Sequence, residues 1–204
     1  MEVLYFDAES RGKKVAVASS RFFNADSECD EAIQSVFPNG HDPNSMYKSV
    51  IIAATNDQVD IWNEKIQDMN ESEMKEFHSR DYLCEVDDPR DVLKSMLTDD
   101  ILNRYSTNGV PPHVLKLKVG DICILLRSLS RKDKLMTNTR VRILRLNTFC
   151  VHVQTLTDSP KCFTIPRIRF KFQLPWGKSY QMIRTQFPLR LSYAITVNKA
   201  QGQE

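Results

Sequence analysis

Two short apolar runs that lie far apart in the chain place the strongest limit on its fold. Residues 49–54 read SVIIAA and residues 193–197 read YAITV, and neither run contains a charged residue. Unbroken apolar runs rich in β-branched residues are typical of strands that are buried on both faces, as in a parallel sheet. We therefore predict that both runs lie in one sheet of an α/β domain, and that the segment between them contains an insert.

A helix is predicted directly after the first run. Thr55 and Gln58, three residues apart, have the form of a capping box. Apolar residues then recur at helical spacing, at Val59, Trp62, Ile66 and Met69. The turn between strand and helix places backbone N–H groups at a helix N-terminus, which suits an anion. A purely structural cap is the simpler interpretation of the same residues.

The chain on either side of this unit is less regular. Residues 25–36 predict a short acidic helix with Ala32, Ile33 and Val36 on one face. Residues 71–106 are acidic and irregular, and we interpret them as a solvated connector with a surface loop at 85–89.

Short alternating strands dominate the chain from Pro111 onward. Strands are predicted at residues 115–117, 122–126, 140–146, 149–156 and 162–168. Strands that recur about every ten residues are typical of a small antiparallel barrel or sandwich. Arg at alternate positions of 140–146 indicates either a solvent face or a nucleic-acid face. The second interpretation rests on basic and aromatic residues that are interleaved further on: Phe163, Arg167, Arg169, Phe170, Lys171, Phe172 and Trp176.

The charge of the chain is divided unevenly between its halves. Residues 1–100 carry 10 Lys/Arg and 22 Asp/Glu, a balance of −12, whereas residues 101–204 carry 18 Lys/Arg and 4 Asp/Glu, a balance of +14. A strongly basic half indicates an anionic partner, most often nucleic acid. The alternative is that the two halves neutralise each other within the fold.

Several classes of protein do not fit this sequence. No apolar run reaches the roughly 18 residues that span a bilayer, so we expect no membrane partner. The N-terminus has no basic region followed by a long apolar one, so we do not expect secretion. The five cysteines include no CxxC pair and predict reduced, mostly buried thiols in an intracellular protein. Neither Cys nor His shows metal-ligand spacing, so no metal site is predicted.

The last residues of the chain form its most specific motif. Residues 191–203 read LSYAITVNKAQGQ. This segment resembles motif V of superfamily-one DNA helicases, where a strand ends in T-x-[HN]-K-[SA]-Q-G. It is close to the form found in the Pif (petite integration frequency) family of 5′-to-3′ DNA helicases, which includes the helicase part of Helitron transposons.

Other stretches resemble the same family in the same order. They are residues 51–63 (IIAATNDQVDIWN), 109–121 (GVPPHVLKLKVGD), 135–140 (LMTNTR) and 165–168 (IPRI). Two positions depart from the family pattern. Asn138 stands where the family has a turn Gly, and Asn tolerates the left-handed conformation that Gly would supply. Ala200 replaces the usual Ser after the motif V Lys.

The resemblance implies a fold and a division into domains. The chain is similar to the second RecA-like domain of a superfamily-one helicase, a parallel sheet with helices that carries an inserted small β-barrel of the Src-homology-3 type. Residues 1–48 remain unassigned. The RecA-like domain then takes 49–110, the insert takes 111–185, and the motif V strand takes 186–204. The implied partners are single-stranded DNA, ATP and a first RecA-like domain that this sequence lacks.

The resemblance also implies binding residues. Gln201, Gly202 and Glu204 would face the nucleotide. Seven residues are predicted to contact single-stranded DNA, and motif V and the turn after the first run supply five of them: Thr196, Asn198, Lys199, Thr55 and Asn56. Lys199 serves either ligand. The other two are Arg140 and Arg167 of the insert, both taken from its basic strands.

The catalytic set expected of such a helicase is incomplete in this sequence. The phosphate-loop pattern GxxxxGK[ST] does not occur, and no apolar strand ends in Asp-Glu. The arginine finger of the family lies in a segment that this sequence does not include. ATP and Mg²⁺ are therefore implied as cofactors of the family, with the Mg²⁺ ligands outside this chain, and we predict that the chain alone does not hydrolyse ATP.

Three functions remain open at this point. The first is a portion of an ATP-dependent DNA helicase, nuclear by resemblance, that acts in repair, recombination, telomere maintenance or transposition. The second is a degenerate, non-enzymatic remnant of a Helitron-type helicase that binds single strands. The third is an interaction module whose basic barrel binds an acidic protein.

Overall fold

The computed structural model describes residues 4–7, 29–38, 40, 42, 46, 49–53, 55–84, 98–157, 159–174 and 181–196. Strands dominate these ranges, with three helices among them. In chain order the elements are β1 (Leu4–Asp7), α1 (Cys29–Val36), β2 (Ser49–Ala53), α2 (Asn56–Asp68), β3 (Lys75–His78), β4 (Arg80–Leu83), α3 (Asp99–Arg104), β5 (Val114–Leu117), β6 (Ile122–Leu125), β7 (Arg140–Leu146), β8 (Cys150–Thr155), β9 (Cys162–Pro166), β10 (Ile168–Gln173), β11 (Gln181–Gln186), β12 (Leu189–Leu191) and β13 (Ala194–Thr196).

The two apolar runs pair directly with each other. β13 lies parallel to β2, with Ala194 opposite Ile51 and Thr196 opposite Ala53, and β1 adds an antiparallel strand on the other side of β2. The prediction that both runs share a sheet is therefore confirmed. Both strands are largely buried, and a strand that is covered on both faces needs an unbroken apolar sequence.

The helix after β2 begins with the predicted capping box at Thr55 and packs Val59, Trp62 and Ile66 against the sheet. The assignment of Met69 to the same buried face is wrong. Helix α2 ends at Asp68, so Met69 is the C-cap residue and its side chain is exposed.

The strands from β5 to β12 pair in antiparallel fashion, as the alternating pattern predicts. The largest sheet has the order β12-β6-β7-β8-β9, and its inward side chains form a second core that includes Val141, Ile143, Val151, Val153 and Ile165. Two smaller sheets, β10-β11-β4 and β3-β5, complete this region. At the turn before β7, Asn138 has a φ of 69°, so the left-handed conformation expected there is confirmed.

The interpretation of residues 71–106 as a solvated connector is wrong over the described part. β3 and β4 form there because each pairs with a distant strand, β3 with β5 and β4 with β11. The acidic character misled the prediction, since Asp81 on β4 is buried against Arg184 rather than solvated. The predicted loop at 85–89 lies outside the described residues.

The prediction of a face with interleaved basic and aromatic residues is also wrong in part. Phe170 is fully buried, and Phe172 stacks on Tyr105 with 5.9 Å between ring centroids. Arg169 and Lys171 are exposed on the opposite face of β10. Successive side chains of a strand alternate between two faces, so a mixed basic and aromatic strand separates the two chemistries. Trp176 lies outside the described residues.

The cysteines differ from the sequence expectation as well. The structure describes the side chains of four cysteines, of which only Cys123 is buried, and all four are free thiols. No helix within the described ranges has the length and apolar character to cross a bilayer.

A buried polar cluster, which we call the polar joint, connects α2 to the strands that follow it. The carboxylate of Asp121 accepts hydrogen bonds from Gln67 Nε2, Asn70 Nδ2, the Tyr193 hydroxyl and the backbone N–H of Lys118. Lys118 Nζ in turn donates to the carbonyls of Gln67 and Asn70 at the end of α2. Burial outweighs these donors and raises the pKa of Asp121.

Candidate nucleic-acid interface

Three predicted DNA-binding residues lie at one edge of the β1-β2-β13 sheet. Parallel strands end at the same edge, and Thr196 at the end of β13 is opposite Ala53 at the end of β2. Thr55 and Asn56 follow β2 directly and begin α2. The structure therefore brings Thr55, Asn56 and Thr196 together, although most of the chain separates them.

The side chains at this edge already make structural hydrogen bonds. Thr55 Oγ1 accepts from the Gln58 N–H at 3.4 Å, and Gln58 Oε1 accepts from the Thr55 N–H at 3.4 Å. Asn56 Nδ2 donates to Asn108 Oδ1 at 3.1 Å. Thr55 is exposed, and its hydroxyl proton takes no part in the capping box, so it remains able to donate to an incoming oxygen.

Arg140 lies at the opposite edge of the same two strands. Its Nη2 donates to the carbonyl of Ser49, where β2 begins, and to that of Ser192, just before β13, both at 3.2 Å. Burial lowers the pKa of Arg140 to about 10. These contacts fasten the start of β7 to the amino edge of the sheet, so Arg140 does not join Thr55 and Thr196 in one site.

Arg167 occupies a third position, between β9 and β10. Its Nη1 donates to the carbonyl of His78, and its guanidinium lies 4.9 Å from the ring centroid of Phe187 and 6.0 Å from that of Phe77. Partial burial lowers its pKa. Its contacts within the described ranges are that carbonyl and those two rings, with no carboxylate among them.

A groove of about 630 Å³ opens beside Arg167. Its lining includes Lys75 and His78 of β3, together with Asn147 and Thr148 of the turn between β7 and β8. Sequence reasoning missed these four residues because they come from two segments that are distant in the chain, and Arg167 comes from a third. The one local signal is Phe149, an aromatic residue in a tight turn where polar residues are usual.

A buried ion pair was also missed. Arg184 donates to both carboxylate oxygens of Asp81 and to the carbonyls of Pro111 and Leu102. Asp81 in turn accepts from the Ser79 hydroxyl, which also contacts His113 Nδ1 at 2.8 Å. The cluster ties β4, β11 and α3 together, and its buried position gives it a structural role.

Five of the predicted site residues belong to the last eight positions of the sequence. Asn198 and Lys199, together with the nucleotide residues Gln201, Gly202 and Glu204, lie outside the described residues. Among residues that the structure does describe, no group of three or more His, Cys, Asp or Glu side chains is arranged to hold a metal ion.

Comparison with known proteins gives matches to one type of helicase. Residues 100–146 match the family model described as DNA helicase Pif1, 2B domain. The structure is similar to Pif1 helicase from Candida albicans, with a TM-score of 0.56 and 19% identity over 74% of this chain and 36% of that chain. No curated protein matches the chain in sequence.

Two Bacteroides structures match more weakly. Unliganded Pif1 has a TM-score of 0.48 and 19% identity over 74% of this chain and 42% of that chain. Bacteroides Pif1 bound to ssDNA has a TM-score of 0.48 and 18% identity over 74% of this chain and 31% of that chain. The chain thus spans only about a third to two fifths of the solved structures that it matches.

The segment from α3 to β7 is the part that the family model recognises, and the fold around it is shared with a Pif1 helicase. The resemblance to the Pif family of DNA helicases is therefore confirmed.

Proposed function

We propose that this chain is a portion of an ATP-dependent DNA helicase of the Pif type. One observation carries the proposal: the segment that matches the Pif1 2B domain lies between two strands, β2 and β13, that pair in parallel and end at one edge. A helicase of this type needs such an edge, because its second RecA-like domain holds the tracked strand there.

The proposed domain organisation takes its bounds from the sequence motifs, and three strands outside the insert, β3, β4 and β12, pair with strands of the insert. Residues 49–110 and 186–204 form the second RecA-like domain around β2 and β13, and residues 111–185 form an inserted barrel of the Src-homology-3 type. The polar joint and Arg140 support this arrangement, since both connect the insert to the sheet at positions close to where the chain enters and leaves it.

The residues of this chain act on the DNA side of the cleft in this proposal. The Thr55 hydroxyl, the Asn56 amide and Thr196 hold backbone phosphates of a single strand at the carboxyl edge of the sheet. Asn198 and Lys199 extend the same contact. Arg167 binds the strand from the insert. Arg140 is left out, because its guanidinium is committed to two backbone carbonyls.

The nucleotide side depends on a partner domain. Gln201, Gly202 and Glu204 face the nucleotide, while a first RecA-like domain supplies the phosphate loop and the Mg²⁺ ligands. Mg²⁺ would neutralise charge that develops on the phosphates during transfer. Opening and closing of the cleft then moves the strand in the 5′-to-3′ direction. The proposed setting is the nucleus, in repair, recombination, telomere maintenance or transposition.

Titration of a fluorescent oligo-dT with the full chain tests the DNA-binding part of this proposal. Affinity is expected to fall steeply with salt, with a log–log slope of about 0.7 for each phosphate that is neutralised. Absence of binding at low salt contradicts the proposal. Displacement of dT by a polyglutamate at equal charge favours the acidic-protein alternative instead.

DNA binding is expected of both the helicase and the non-enzymatic remnant, so ATP turnover is the measurement that distinguishes them. The complete transcript is sequenced first, and its full product is assayed for DNA-stimulated phosphate release. Turnover that requires single-stranded DNA supports the helicase. A full product that binds DNA without turnover supports the remnant of Helitron type.

A further inference from the structure

Phe149 is by far the most exposed large apolar side chain in the described ranges, with 82% of its surface accessible. It lies in the three-residue turn 147–149 between β7 and β8, and a backbone hydrogen bond from the Asn147 N–H to the Cys150 carbonyl closes this turn. A ring in this position contributes nothing to the core. A single exposed ring is not by itself a binding site, so its significance depends on the groove that the same turn lines.

The same turn borders the groove beside Arg167. Thr148, next to Phe149, lines the groove together with Lys75, His78 and Arg167. Lys75 Nζ touches only a backbone carbonyl, that of Leu146 at 3.5 Å, and Arg167 Nη1 likewise donates to a carbonyl. Neither cation is neutralised by a described carboxylate.

One carboxylate does border the groove. Glu76 lies on its wall, but its Oε1 pairs with Lys116 Nζ at 3.8 Å on the exposed surface of the β3-β5 sheet. The groove therefore keeps a positive balance from Lys75 and Arg167. A positive groove, lined by a turn that also carries an exposed aromatic ring, has the two features that bind single-stranded nucleic acid, since cations bind the phosphates and the ring stacks on a base.

We propose that this groove is a contact site for single-stranded DNA on the insert, with a phosphate between Lys75 and Arg167 and a base stacked on Phe149. The site deepens the proposed function and rests on it. It is separate from the sheet edge at Thr55 and Thr196, so the strand would touch the chain at two places. Direct stacking also explains why an aromatic residue replaces the polar residues usual in such a turn.

Fluorescence titration with two oligonucleotides of equal length tests the site in the full chain. One is oligo-dT, and the other has the same backbone with abasic positions. Phe149→Ala is expected to weaken binding of oligo-dT by at least about fivefold and to leave the abasic strand unaffected. Lys75→Ala is expected to weaken the binding of both oligonucleotides and to lower the log–log salt slope by about 0.7. Phe149→Trp should retain the wild-type affinity.

Matched controls come from the loop between β6 and β7. Met136→Ala removes another exposed apolar side chain, and Lys132→Ala removes another exposed cation. Both are expected to change affinity by less than twofold. The fold is monitored by circular dichroism, and the exposure of Phe149 and Lys75 leads us to expect no change in it.

The outcomes separate this proposal from the one on which it rests. If the wild-type chain binds oligo-dT while Phe149→Ala and Lys75→Ala bind as the wild type does, the groove is not a contact site and the proposed function stands. Equal losses of affinity in the control variants also contradict a contact site at the groove, because binding is then spread over the surface. If the wild-type chain binds neither strand at low salt, both proposals fail.

Discussion

Arg184 and Asp81 form a bidentate ion pair in which the two side chains are only 1% and 2% exposed. They come from β11 and β4, adjacent strands of one small sheet. The Arg184 guanidinium also reaches the carbonyls of Leu102 and Pro111, so it connects α3 and the following loop to that sheet.

This pair allows a direct comparison with an exposed one. We expect Asp81→Asn to lower the free energy of unfolding by about 3–5 kcal/mol, because it leaves a buried guanidinium without its counter-charge. Asp60→Asn is the matched control, since Asp60 also pairs with an Arg, Arg190 at 2.7 Å, but is 53% exposed. Its expected cost is below about 1 kcal/mol. Urea unfolding followed by circular dichroism measures both, and equal costs would show that burial does not determine the strength of the Asp81 pair.

The buried Asp121 of the polar joint predicts that the stability of the fold depends on pH. Burial raises the pKa of Asp121 above 3.8, so the folded state holds the proton more tightly than the unfolded state. The stability from this group is fully present below pH 3.8 and is lost as the pH rises through the raised pKa. Asp121→Asn removes the titration but weakens the hydrogen bonds, at a cost of about 1–3 kcal/mol.

The raised pKa of Asp121 determines how the stability difference between wild type and Asp121→Asn changes with pH. The difference in unfolding free energy between wild type and Asp121→Asn should narrow as the pH is raised from about 4 to about 7. Asp133→Asn, at an exposed position of the β6–β7 loop, is the control for the loss of one negative charge. A difference that widens with pH would contradict the raised pKa.

Thr55 offers a way to separate its capping role from a role in phosphate binding. Asp and Asn are both good N-cap residues, so Thr55→Asp and Thr55→Asn should unfold at nearly the wild-type free energy. Only Asp places a negative charge at the sheet edge. We expect Thr55→Asp to weaken oligo-dT binding by at least about fivefold at low salt, since unit charges 4 Å apart in water repel by about 1 kcal/mol. If the two variants bind equally well, Thr55 is a structural cap alone.

The isolated chain should release no phosphate from ATP. Phosphoryl transfer needs a phosphate-cradling loop with its Lys and a bound Mg²⁺, and an arginine finger adds about 10³–10⁵ in rate. None of these groups is recognisable in the sequence. The measurement is phosphate release with Mg²⁺, ATP and oligo-dT, beside a mock purification. Turnover above that background would reveal a catalytic site made of residues that the motifs do not predict.

Local patterns were sufficient where neighbouring residues determine the structure. The capping box at Thr55, the left-handed turn residue Asn138 and the inward alternation of β8 all depend on contacts within a few positions of the chain. The burial of β2 and β13 was predictable too, because an unbroken apolar run has no solvent face to offer.

Only the tertiary structure decided where the charged and aromatic side chains lie. Arg140 and Arg167 looked alike in the sequence, but Arg140 binds two carbonyls at the amino edge of the sheet while Arg167 lines a groove with Lys75. The exposed ring belongs to Phe149, whereas Phe170 is buried. Whether an ionic or aromatic side chain is buried or exposed depends on partners that are distant in sequence. The sequence alone therefore determined the strands with unbroken apolar or alternating patterns, such as β2, β8 and β13, whereas long-range pairing formed β3 and β4 and determined which polar groups remain exposed.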